Sequence, residues 1–136
     1  MATVRLVEYE EADPVVRQVY DDIMATRQTD WINNFWKALA VQPELLCRIW
    51  ESAKAVMAPG ELDPLTKEMI YIAVSATNGC DYCTNSHTAA ARLKGMNDQM
   101  LSELMSVIGL ANQTNALANG FQIEIDASFR EGGLAM

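Results

Sequence analysis

The chain has 136 residues, half of them apolar and 21% charged, a composition that supports a folded domain with its own core. Its net charge is −8, and past Lys94 the sole remaining cation is Arg130, which argues against nucleic-acid binding, since phosphate recognition needs clustered Lys and Arg. No apolar run approaches the roughly 18 residues of a membrane span, and the acidic opening MATVRLVEYEEAD lacks the apolar stretch of a secretory signal.

In chain order, the punctuation cuts the sequence into helices. Asp13-Pro14 reads as a cap followed by proline at the first helical position, with Val15, Val16, Val19, Tyr20 and Ile23 at helical spacing. Asn33 to Ala40 predicts a shorter helix bearing Phe35 and Trp36. Gln42-Pro43 opens another, with Leu45, Leu46, Ile49, Trp50, Ala53 and Val56 on its inner face, ended by Ala58-Pro59-Gly60. Asp63-Pro64 starts an apolar helix that stops near Asn78-Gly79. Cys83 to Lys94 reads as the next, ended by Gly95, and Asn97 caps one carrying Met100, Leu101, Leu104 and Met105. Thr114 to Phe129 is expected to be a last helix, with Leu117, Phe121 and Ile125 four residues apart, although the alternation of Ile123 and Ile125 also permits a strand. The expected fold is all-α, a single domain over residues 1–136.

Chemistry concentrates between Glu68 and His87. Cys80, Cys83 and His87 stand at i, i+3 and i+7, one face of a helix that begins near Cys80 or Asp81. Side chains three apart on a helix have Cβ atoms about 5–6 Å apart. A modest adjustment in the first turn would bring them to the roughly 3.5–4.5 Å of a disulfide. A dithiol that opens and closes is therefore feasible. A thiol near a helix N-terminus is also stabilised as thiolate by the helix dipole, and Cys83 is the better placed. His87, the single histidine, can exchange protons with it. Glu68 lies on the apolar stripe between Leu65 and Ile72, where desolvation is expected to raise its pKa toward that of a general base.

These residues fit peroxide reduction. Cys83 would attack the peroxide and become a sulfenic acid, and Cys80 would resolve it as a disulfide. An external dithiol would then restore the pair. Three cysteines, an odd number, do not make a secreted disulfide framework, and the expected compartment is a reducing cytoplasm. Zinc would compete for the same side chains, with two ligands from the cysteines, a third from His87 and a fourth from Glu68. No second CxxC or His pair exists, so ligand count favours redox chemistry. Thr84 follows Cys83 where haem attachment would need His. Cys47, on an apolar helix, reads as an inert buried thiol. Trp31, Phe35, Trp36 and Trp50 read as core or subunit-interface residues. The runner-up function is a redox-sensing or protein-binding helical oligomer that uses the same dithiol as a switch.

Glu68, eleven residues, Cys80, two residues, Cys83, three residues, His87 resembles the signature of alkylhydroperoxidase D and its single-domain relatives in the carboxymuconolactone decarboxylase-like superfamily. The resemblance covers most of the chain and is strongest from about Glu51 to Gly109. It implies a helical bundle whose CxxC opens a core helix, and a homo-oligomer, often a trimer or hexamer. It also implies thiol-dependent peroxidase activity on an organic hydroperoxide or hydrogen peroxide, with Glu68 and His87 relaying protons to Cys83. No cofactor and no metal are implied, and the reductant is a dithiol or a lipoyl-type adaptor protein. The family's best-known members carry a second histidine immediately before the second cysteine. Here that place is Tyr82, a phenol of pKa about 10 and a poor proton shuttle at neutral pH.

Overall fold

In a computed structural model, which describes residues 1–130, the chain is all-α. A single 3-10 turn at Tyr9–Glu11 precedes α1 (Pro14–Arg27), α2 (Asn34–Leu39), α3 (Pro43–Met57), α4 (Pro64–Asn78), α5 (Asp81–Leu93), α6 (Asp98–Gly120) and α7 (Ala127–Arg130). The starts follow from local chemistry. Asp13, Asn33, Asp63 and Asn97 each sit in extended backbone and accept a hydrogen bond from the amide three residues on. Each such cap satisfies an otherwise orphaned N–H and stabilises its helix by about 1 kcal/mol. None of the helices in the described residues is long and apolar enough to cross a membrane.

The helices fall into two compact units, divided at Pro59 and Gly60. In the first, α1 packs on α3 and α2 on α3. Val7, Val16, Tyr20, Ile23, Trp36, Leu46 and Trp50 are buried in its core. The Trp36 and Trp50 rings meet edge to face at 5.5 Å, and the Arg27 guanidinium lies over both. Tyr20 and Trp50 pair their polar atoms, while the buried Trp36 Nε1 has no hydrogen-bond partner among the described residues. Tyr20 Oη donates to the Val7 carbonyl at 2.8 Å, and burial pushes the Tyr20 phenol up to about 12. Trp50 Nε1 donates to Asp22, which Lys54 also contacts, and these two partners hold the Asp22 carboxyl below the usual carboxylate range.

In the second unit α5 and α6 both pack against α4. Ile72, Ala91 and Met96 are its buried apolar residues, with Leu65, Met69, Met100, Leu101 and Leu104 against them. Asn112 Nδ2 of α6 donates to Thr77 Oγ1 of α4 at 3.2 Å.

Three expectations are corrected. The segment Thr114–Phe129 is not one helix. Residues 114–120 continue α6, Gln122 takes a left-handed φ of 51°, and 123–126 are neither helix nor strand. The polar run Asn112–Asn115 interrupts the apolar pattern without interrupting the backbone hydrogen bonds, so one long helix reads as two. The inner face of α3 is narrower than its pattern predicts, since Ile49 and Val56 are exposed. Finally, of the two starts read for α5, the structure takes Asp81, where the spacing of Cys80, Cys83 and His87 put it, and not Cys83.

Candidate active site

The site is built on the hairpin of α4 and α5. Gly79 makes the turn with a φ of +71°, a conformation that costs glycine no Cβ clash. The Gly79 amide donates to the Ala76 carbonyl at 3.3 Å and the Cys80 amide to the Ser75 carbonyl at 2.9 Å, so two of the last four carbonyls of α4 are satisfied. Cys80 therefore closes α4 and opens α5 at once. Its carbonyl accepts from the Thr84 amide, and its Sγ accepts from the Cys83 amide at 3.2 Å. Cys80 and Cys83 are joined by a disulfide, with Cα atoms 5.3 Å apart. Both are half-buried, and Asp81 and Tyr82 between them are exposed.

One turn along the same face stands His87. Its Nδ1 lies 2.6 Å from Oε2 of Glu68, which reaches across from α4. The other carboxylate oxygen, Oε1, accepts from Lys94 Nζ at 3.2 Å. Tyr71, one turn after Glu68 on α4, stacks on the His87 imidazole with ring centroids 3.6 Å apart and planes 18° apart. Of the four residues expected from sequence, the structure joins Cys80 to Cys83 and brings Glu68 to His87. Lys94 and Tyr71, which the sequence did not single out, also contact the Glu68–His87 pair. A signal for Lys94 existed, because it follows His87 by seven residues, two turns along the same face. Tyr71 had none beyond standing three residues after Glu68.

The expected pKa of Glu68 is reversed. Burial is the strongest single influence and pushes the carboxyl up. The hydrogen bond and charge of His87, with the charge and hydrogen bond of Lys94, together outweigh it and hold Glu68 below the ordinary glutamate range. At neutral pH the group is a carboxylate, so His87 Nδ1 carries the proton in their hydrogen bond. In the neutral form of the ring this tautomer leaves the Nε2 lone pair to accept a proton. Among the described residues no three His, Cys, Asp or Glu side chains gather as a metal-binding group. The arrangement offers a disulfide across a helix N-terminus and an imidazole held by a carboxylate one turn away.

A family model described as the carboxymuconolactone decarboxylase family matches residues 43–123. The chain belongs to this family. The match takes in the whole α4–α5 hairpin and extends beyond Glu51 and Gly109 on both sides. Within solved structures, the family member's chain resembles the crystal structure of an alkylhydroperoxidase AhpD core from Rhodospirillum rubrum, with a TM-score of 0.92 and 55% identity over 95% of this chain and 97% of that one. The helical fold expected from the motif is therefore the observed one. An alkyl hydroperoxide reductase AhpD from Solibacter usitatus is 34% identical over 71 residues, which is 52% of this chain and 38% of its own. An uncharacterized protein of the cox locus of Paracoccus denitrificans is 34% identical over 55 residues, half of its length. The chain thus spans half or less of these two curated relatives.

Proposed function

We propose that the protein is a thiol-dependent hydroperoxide reductase of the alkylhydroperoxidase type. The observation that carries this is the disulfide across the first turn of α5, one turn from the Glu68–His87 pair. The names of the Rhodospirillum and Solibacter relatives support it.

The Cys83 thiolate attacks the distal oxygen of ROOH. The O–O bond breaks, Cys83 becomes a sulfenic acid, and RO⁻ takes a proton and leaves as the alcohol. The Cys80 thiol then attacks the sulfenic sulfur, the S–S bond forms and water leaves. A dithiol reductant or a lipoyl-type adaptor protein exchanges with the disulfide and restores both thiols, leaving as its own disulfide. His87, oriented at Nδ1 by Glu68, takes the proton from Cys83 at Nε2 and returns it to the departing oxygen. Tyr82 contributes no second imidazole. A cycle that consumes reductant suits a reducing cytoplasm, where we place the protein as an antioxidant enzyme. The resemblance also supports a homo-oligomer, a trimer or hexamer.

Reduced protein is expected to consume an organic hydroperoxide in the presence of a dithiol, and Cys83→Ser to abolish this. Cys80→Ser should react once and leave a sulfenic acid that a dimedone-type reagent captures, read by mass spectrometry of the peptide spanning residues 80–87. Wild-type turnover by Cys83→Ser would overturn the mechanism. Slow single turnover, with a change of assembly on oxidation, would replace the enzyme by a redox switch.

A further inference from the structure

Lys94 stands where α5 ends. The Gly95 backbone at φ +105°, with the Gly95 amide on the Arg92 carbonyl and the Met96 amide on the Ala91 carbonyl, stops the helix directly after it. From there the side chain, 37% exposed, runs from solvent to Glu68, whose side chain is 7% exposed. A carboxylate this buried needs partners on both oxygens, and His87 reaches Oε2 alone.

We propose that Lys94 is a positioning residue of this site, its ammonium anchoring Glu68 Oε1 so that the charged carboxylate presents Oε2 to His87. The role in turnover rests on the peroxidase reading; the anchoring does not. Other charges do not substitute for it. On α6, which also packs on α4, Asp98 is paired with Arg92 at 2.7 Å and Glu103 is exposed. On α4, Lys67 and Tyr71 are the neighbouring titratable groups, and Tyr71 lies against the imidazole. From α5, His87 and Lys94 are the charges that act on Glu68. The disulfide adds none; a Cys83 thiolate in the reduced form places a negative charge on the same face, which increases the demand for a cation.

The test titrates the Glu68 carboxylate by carbon-13 NMR in reduced protein, with Glu68→Gln identifying the signal. Lys94→Met is expected to move the midpoint upward, and Lys94→Arg to keep it near wild type. Circular dichroism checks that each variant is folded. In the same variants the acid limb of the pH profile of peroxide consumption should move upward with Lys94→Met, and the alkaline side should change little. An unchanged carboxylate midpoint in Lys94→Met overturns the proposal, as does a Lys94→Arg midpoint equal to that of Lys94→Met. If Cys83→Ser retained turnover, the peroxidase reading would fall, and the carboxylate titration would still decide the role of Lys94.

Discussion

Glu68 carries its charge in surroundings that penalise charge. Apolar neighbours on α4 predict a protonated acid, and their effect is real, since burial is the largest influence on the group. What the linear pattern hides is that residues 19 and 26 positions later fold back onto its two oxygens. Lys94 reads in sequence as a cation favourable to a helix C-terminus, and its reach to a buried carboxylate is visible only once α5 lies on α4. The depressed pKa has a consequence for stability. A carboxyl whose folded pKa lies below its unfolded value of 4.5 stabilises the fold above that value, and the contribution is lost as pH falls through the folded pKa. Melting temperatures measured from pH 3 to 7 should therefore fall on the acid side. Glu68→Gln should lower stability at neutral pH by on the order of 1–3 kcal/mol, toward the lower figure because Lys94 meets water, and flatten the acid slope.

Among elements, starts were legible and ends were less so. Asp13-Pro14, Asp63-Pro64, Asn33 and Asn97 are short-range signals, because a cap needs only its own side chain and an amide three residues on. The end of α6 depends instead on where the backbone turns left-handed, at Gln122, a residue whose type does not announce it. Gly79 is the opposite extreme, a stop readable in sequence and required by geometry. An added Cβ would meet no neighbour there, so the penalty for Gly79→Ala is the left-handed backbone itself, about 1 kcal/mol. Urea unfolding should show that loss, with a smaller one for Gly79→Asn, which tolerates this conformation better. Cys80 could be read as a candidate thiol near the joint of two helices, but the hydrogen bonds by which it closes one and opens the other appear only in the folded turn.

For the whole molecule, the sequence separated helical from non-helical segments well but could not say which apolar residues are covered. Trp36 and Trp50 are buried, whereas Trp31 and Phe35 are exposed, although all four looked alike. The largest such difference is in α6 and its C-cap Phe121, where Val107, Leu110, Leu117 and Phe121 fall on one face and are 48–73% exposed. If the homo-oligomer proposed above is built on that stripe, Leu110→Glu, in its middle, should reduce the assembly state measured by light scattering while leaving helicity intact. An unchanged mass would rule the stripe out as a subunit contact.

The same stripe bears on how the proposed homo-oligomer would respond to dilution. Apolar surface that is covered only by association makes the folded form draw part of its stability from mass action. Each tenfold rise in protein concentration should then raise the melting temperature, and thermal scans at matched concentrations become the fair comparison between variants.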